Sequence, residues 1–116
     1  LAGCELAAAA ARGTSEPLGP QLGTDLPESF RAQAMARELA LQMAGVHSLF
    51  QTSTFALPIG CRALRTWAHP TPGAVVDALA WLVHETATEL EYNVLLSVDG
   101  EVIEELEGLR MRKLRA

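Results

Sequence analysis

The chain has 116 residues, 49% of them hydrophobic but only 5% aromatic, and a formal charge of −5. A chain of this length supports one domain with a modest core, burying about two-thirds of its unfolded surface, and its abundant alanine leaves Trp67 and Trp81 as the bulkiest candidate core pieces. The acidic balance argues against general nucleic-acid binding, the closing RMRKLRA being too short to reverse it and reading as a solvated terminus, and no apolar run approaches the ~18 residues of a membrane span.

Leu1 to Arg12 is rich in alanine and suits either a helix, on propensity, or the last strand of a preceding unit. Leu-Ala-Gly-Cys4 matches the box cleaved in lipoproteins, but the charged and apolar segments that precede such a box do not stand before it. Cys4 and Cys61 follow no C-x-x-C spacing and read as two reduced, core-forming thiols of a cytoplasmic protein. The missing initiator Met suggests a piece of a longer protein. Gly13 to Leu26 carries Gly, Pro, Ser, Thr and Asp throughout, the chemistry of a loop. Residues 1–26 are thus a leading segment and 27–116 a single domain.

Pro27 to Gln51 is the one stretch whose signals agree on a long helix. Pro27 and Glu28 suit a first turn, and Met35, Leu39, Gln42, Met43, Val46, Leu49 and Phe50 recur at three- and four-residue steps. Glu38 and Gln42 lie one turn apart on or beside that stripe, with His47 further along. If a sheet covers the stripe, the carboxylate and the amide enter an apolar space together. A carboxyl group held there would have its protonation shifted upward and could exchange a proton with a substrate oxygen; the bland alternative is a solvated carboxylate at the edge of the core.

After Gln51 the period changes to that of a strand, Phe55 to Ala63 and beyond, interrupted near Pro58 and Gly60 where a bulge or edge position tolerates the missing donor. Ala68 to Gly73 is a turn. Ala74 to Glu89 is ambiguous: Val75, Val76, Leu79, Leu82 and Val83 fit a helix, the reading that periodicity favours, whereas Val75, Leu79, Trp81 and Val83 suit one face of a strand. Leu90, Tyr92, Val94, Leu96 and Val98 then alternate with polar residues up to Asp99-Gly100, a tight hairpin whose return strand starts at Glu101. In the continuation EELEGLRMRKLRA, Gly108 and the alternation around Leu109 and Met111 favour strand.

His47, His69 and His84 have no metal-ligand spacing and no phosphate-cradling glycine loop is present, so neither a metal nor a nucleotide cofactor is expected. Glu38 and Gln42 remain as candidate catalytic residues.

The run Glu38-Leu-Ala-Leu-Gln42-Met-Ala-Gly45, Leu57-Pro58-Ile59-Gly60 leading to Leu64-Arg65, and Val98-Asp99-Gly100-Glu101-Val102 with Glu107-Gly108-Leu109-Arg110-Met111-Arg112 resemble the C-terminal hot-dog half of polyketide synthase or polyunsaturated fatty acid synthase dehydratase domains. The resemblance spans roughly Glu28 to Arg115. It implies an α+β hot-dog fold, an antiparallel sheet wrapped around one long central helix, and turns Ala74 to Glu89 into a strand. The implied reaction is loss of water from a 3-hydroxyacyl thioester on the phosphopantetheine of an acyl carrier protein, with Glu38 as the acid and Gln42 as its orienter. The chain departs from that family in carrying Glu where Asp is usual. It also lacks the half that supplies a His base: His69-x-x-x-Gly73 matches the start of that motif, but Ala78 stands where Pro belongs. The base would then come from a second hot-dog, in the same parent chain or in a homodimer. Two further readings stay open, a non-catalytic hot-dog for dimerisation or acyl-chain binding, and an acyl-thioester hydrolase using the same carboxylate.

Overall fold

The computed structural model describes residues 3–6, 9–15, 28–53, 55–71 and 73–114. Strands β1 (Gly3–Leu6) and β2 (Ala10–Thr14) come first. Helix α1 (Glu28–Thr52) follows, then β3 (Ala56–Thr66), β4 (Asp77–Glu85), β5 (Glu89–Val98) and β6 (Glu101–Lys113). All six strands form one sheet in the order β1-β2-β4-β5-β6-β3, antiparallel at every pairing. The helix packs against β2, β3, β4 and β5. One long helix cradled by an antiparallel sheet is the hot-dog fold.

Within Leu1 to Arg12 the described residues form two strands of this same sheet rather than a helix or the last strand of a preceding unit, and Gly13 and Thr14, read above as loop, extend β2. Thr14 is fixed there by donating its hydroxyl to Asp77 of β4 at 2.7 Å. Just beyond, buried Ser15 donates its N–H to the Val76 carbonyl at 2.8 Å and accepts from the Val76 N–H at 2.9 Å, clamping β2 to the start of β4. The rest of the expected loop, 16–26, lies outside the described residues.

Within Ala74 to Glu89 the chain forms strand β4 (Asp77–Glu85), against the helical periodicity. Its core face is Val76, Ala78 and Ala80, with Leu82 packed beside them, while Leu79 and Val83 are exposed on the other side. The face chosen above by bulk is therefore the outer one. Alanines turn inward because Ala36, Ala40 and Ala44 of α1 share the same core, and small side chains on both partners let the helix approach closely. Bulk comes instead from Tyr92, Met43, Leu90, Leu96 and Met111, not from the tryptophans: Trp67 is 60% exposed and Trp81 half-buried. Both cysteines are exposed free thiols, so neither belongs to the core.

The β5–β6 hairpin closes as its sequence requires. Val98 pairs with Glu101 across Asp99 (φ 52°) and Gly100 (φ 81°), the two left-handed residues of a two-residue turn. Gly108 then breaks the alternation of β6. At φ 66° it forms a bulge opposite Asn93, whose side-chain oxygen accepts the Gly108 N–H at 2.9 Å. Before the bulge Glu104 and Leu106 are buried; after it, Leu109 and Met111. Residues 110–113 of the basic run are thus the end of β6, with Arg112 3.5 Å from Glu89 and Lys113 2.6 Å from Glu85.

Candidate functional site

The face that α1 presents to the sheet consists of Ala36, Leu39, Ala40, Met43, Ala44, His47 and Ser48. At 100° per residue these cluster on one side, and Glu38 falls nearly opposite their centre. Glu38, Leu41 and Gln42 are accordingly exposed. The expected juxtaposition of Glu38 and Gln42 on one face, one turn apart, is present; their burial beneath the chain's own sheet is not. Gln42 belongs to the outward face rather than the core stripe, because Ala36, Ala40 and Ala44 join Leu39 and Met43 against the sheet and turn the centre of the buried face away from it. Phe50, also assigned to the stripe, is exposed as well.

Strand β3, which contacts α1, pairs with β6 along one side and has no strand on its other side among the described residues. Its register shifts between Pro58 and Gly60, as the Pro-Gly interruption implied. Leu57, Ile59 and Leu64 along it, and Phe55 and Trp67 at its ends, are all exposed. The outward carboxylate and amide on α1 and the exposed apolar side chains of β3 are thus both left uncovered by the described residues of this chain.

Two polar contacts that periodicity did not reveal hold the helix behind this face. Glu104 of β6 is fully buried and turned toward α1, where Arg37 Nε donates to its Oε1 at 2.7 Å and Arg37 Nη2 reaches the same oxygen at 2.7 Å. Thr66 donates to that oxygen too, at 3.3 Å, while Oε2 has no hydrogen-bond partner among the described residues. Further along, His47 Nδ1 and the Tyr92 hydroxyl meet at 2.6 Å, fully buried. Burial, and secondarily the charge of Glu85, holds the Tyr92 phenol far above its ordinary range. The phenol therefore keeps its proton, and its hydroxyl and Nδ1 share one buried hydrogen bond whose donor follows from the imidazole tautomer. Glu104 was legible in one respect: it shares the strand parity of Leu106, which places a carboxylate in line with core residues.

His69, the motif-like histidine, sits on the loop after β3 and accepts from the Gln33 amide at 2.9 Å. With Pro70, Thr71, Val98, Asp99, Glu101 and Ile103 it lines a cleft of about 370 Å³ at the hairpin end of the sheet. Among the described residues no group of three or more His, Cys, Asp or Glu side chains could hold a metal ion, and no helix is long and apolar enough to cross a membrane.

No family model and no curated protein matches this sequence. Solved structures do, 92 chains in all. One is smu.793 from Streptococcus mutans UA159, solved bound to acetyl CoA, with 15% identity and a TM-score of 0.74 over 91% of this chain and 82% of that one. A hypothetical thioesterase with coenzyme A from Streptococcus pneumoniae TIGR4 is 11% identical, with a TM-score of 0.70 over 90% and 81% of the two chains. The dehydratase heterocomplex ApeI:P from Xenorhabdus doucetiae is 18% identical, with a TM-score of 0.69 over 92% and 76%. At these identities the likeness carries the hot-dog fold.

Proposed function

We propose that this chain is a hot-dog unit of an enzyme acting on acyl thioesters, with Glu38 as the proton-handling carboxylate and Gln42 orienting it or holding a substrate oxygen. The observation that carries the reading is the placement of Glu38 and Gln42 together on the outward face of α1, a helix that contacts the edge strand β3 with its exposed apolar side chains. A second hot-dog laid against that edge, from the same parent chain or a second copy, would exclude water from the face and create the apolar groove that an acyl chain needs. The similar structures solved with acetyl CoA and coenzyme A, and the dehydratase heterocomplex, support this reading.

Two reactions fit one carboxylate in such a groove. In hydrolysis Glu38 takes a proton from the water that attacks the thioester carbonyl carbon, and the thiolate leaves as the tetrahedral intermediate collapses. In dehydration a base removes the C2 proton of a 3-hydroxyacyl thioester and Glu38 protonates the departing hydroxyl; the base would come from the second hot-dog. The carrier, an acyl carrier protein or coenzyme A, presents the same pantetheine thioester in both. The full chain is incubated with short, medium and aromatic acyl-CoAs and with 3-hydroxyacyl and enoyl thioesters, and products are separated by chromatography. Free thiol plus acid identifies a hydrolase, and interconversion of hydroxyacyl and enoyl thioesters a dehydratase. Binding of the thioester without turnover, unchanged in Glu38→Gln, would identify the non-catalytic module, a reading that the exposure of Glu38 in the single chain also fits.

A further inference from the structure

The sheet-facing side of α1 carries a file of alanines beside Leu39 and Met43. Ala36, Ala40 and Ala44 recur at four-residue steps and share their core with Ala78 and Ala80. Along that alanine file the helix comes close to the sheet with little relief to fix its rotation or slide, leaving Leu39 and Met43 as the large apolar side chains of the face. Directional polar contacts supply that information. His47 with Tyr92 pins one end, and Arg37 with Glu104 pins a point ten residues earlier, about 15 Å along the axis.

We infer that Arg37 and Glu104 are positioning residues for Glu38, fixing the rotation of α1 so that its outward carboxylate meets the substrate; the inference rests on the acyl-thioester reading of Glu38 given above. Arg37 precedes Glu38 directly and stands at the margin of the buried face, its side chain 39% exposed while that of Glu104 is 0% exposed. Two guanidinium nitrogens and the Thr66 hydroxyl converge on a single carboxylate oxygen, so the guanidinium is held in one orientation. The leverage is geometric: a 20° rotation of a helix about 11 Å across displaces the tip of an outward side chain by about 2 Å. A misplacement of about 1 Å can cost a hundredfold in rate. The pair thus lies on the side of the helix where it can be anchored, and sets a group on the side where it cannot.

The test replaces the pair by apolar side chains, Arg37→Met with Glu104→Leu, a change that commonly preserves folding because neither charge is left buried alone. Wild type, this double variant, Arg37→Lys, Glu38→Gln and the core control Leu39→Ala are compared for melting temperature, kcat and KM on the thioester the wild type turns over. The expected result is a folded double variant whose kcat falls about 10- to 100-fold with KM changed less than threefold. Arg37→Lys should regain part of the loss, and Leu39→Ala should keep kcat despite its lower melting temperature. A folded double variant with wild-type kcat overturns the inference. Amide hydrogen exchange across 34–48 gives a readout that needs no turnover. Exchange at least about tenfold faster at 34–41 in the double variant, with 43–48 unchanged, supports the anchor; identical exchange overturns it. If Glu38→Gln keeps wild-type kcat, the assignment of Glu38 fails, and the exchange result still decides whether the pair holds the helix.

Discussion

His47 of α1 and Tyr92 of β5 form an edge-to-face ring pair, centroids 5.3 Å apart and planes at 80°, joined by a 2.6 Å hydrogen bond in the middle of an otherwise apolar core. Because the folded protein holds the Tyr92 proton far more tightly than an unfolded chain does, the native state binds more protons at high pH. The sign follows from linkage: this contribution is complete below the unfolded value of about 10 and is lost as the pH rises above it. Thermal melts between neutral and strongly alkaline pH should show a decline that steepens above about pH 10. Tyr92→Phe should flatten that decline, while costing about 1–3 kcal/mol at neutral pH through loss of the buried hydrogen bond to the imidazole. Equal alkaline slopes in both proteins would show that Tyr92 does not govern the decline.

Gly108 is the second structural pivot. A Cβ there would lie 2.9 Å from the Arg62 Cβ and the backbone would be held at φ 66°. Gly108→Ala should therefore destabilise the fold by about 1–3 kcal/mol, read from the urea midpoint at constant slope. Because the bulge also reverses which residues of β6 face α1, its loss should loosen Leu109 and Met111 together, visible as faster amide exchange in the last third of the strand. A neutral substitution would mean that β6 accommodates the side chain by shifting Arg62.

The open edge makes a prediction about association. Leu57 is 55% exposed and Ile59 42%, on a strand eleven residues long. Natural sheets rarely leave such an edge uncovered. The chain should self-associate at micromolar concentration in sedimentation velocity, and Ile59→Lys should shift it toward monomer with little change in melting temperature. A monomer of unaltered sedimentation across that range would count against pairing through β3.

The architecture was legible where local chemistry and tertiary need coincide. The long helix is periodic, and Asp99-Gly100 between alternating runs admits few readings other than a hairpin. The strand at Asp77–Glu85 was hidden because its inward residues are Ala78 and Ala80, which give almost no hydrophobic signal, while the bulky Leu79, Trp81 and Val83 lie on the other face or beside it. The same preference for small residues misdirected the reading of Glu38 and Gln42: their shared face was right, and its direction was not. Glu104 was obscured by the Gly108 bulge, since alternation counted back from Leu109 and Met111 places Glu105 and Glu107 inward instead. Arg65, exposed, binds both of those, at 2.9 and 3.0 Å, on the opposite side.

The most direct test of the account is the rate of acyl-thioester turnover by the full chain and by Glu38→Gln, measured on folded proteins of matched melting temperature. Since proton transfer by a placed side chain contributes about 10²- to 10⁴-fold, kcat should fall by at least about a hundredfold with KM little changed. Undiminished turnover in Glu38→Gln, or none by the wild type on any thioester offered, would contradict it.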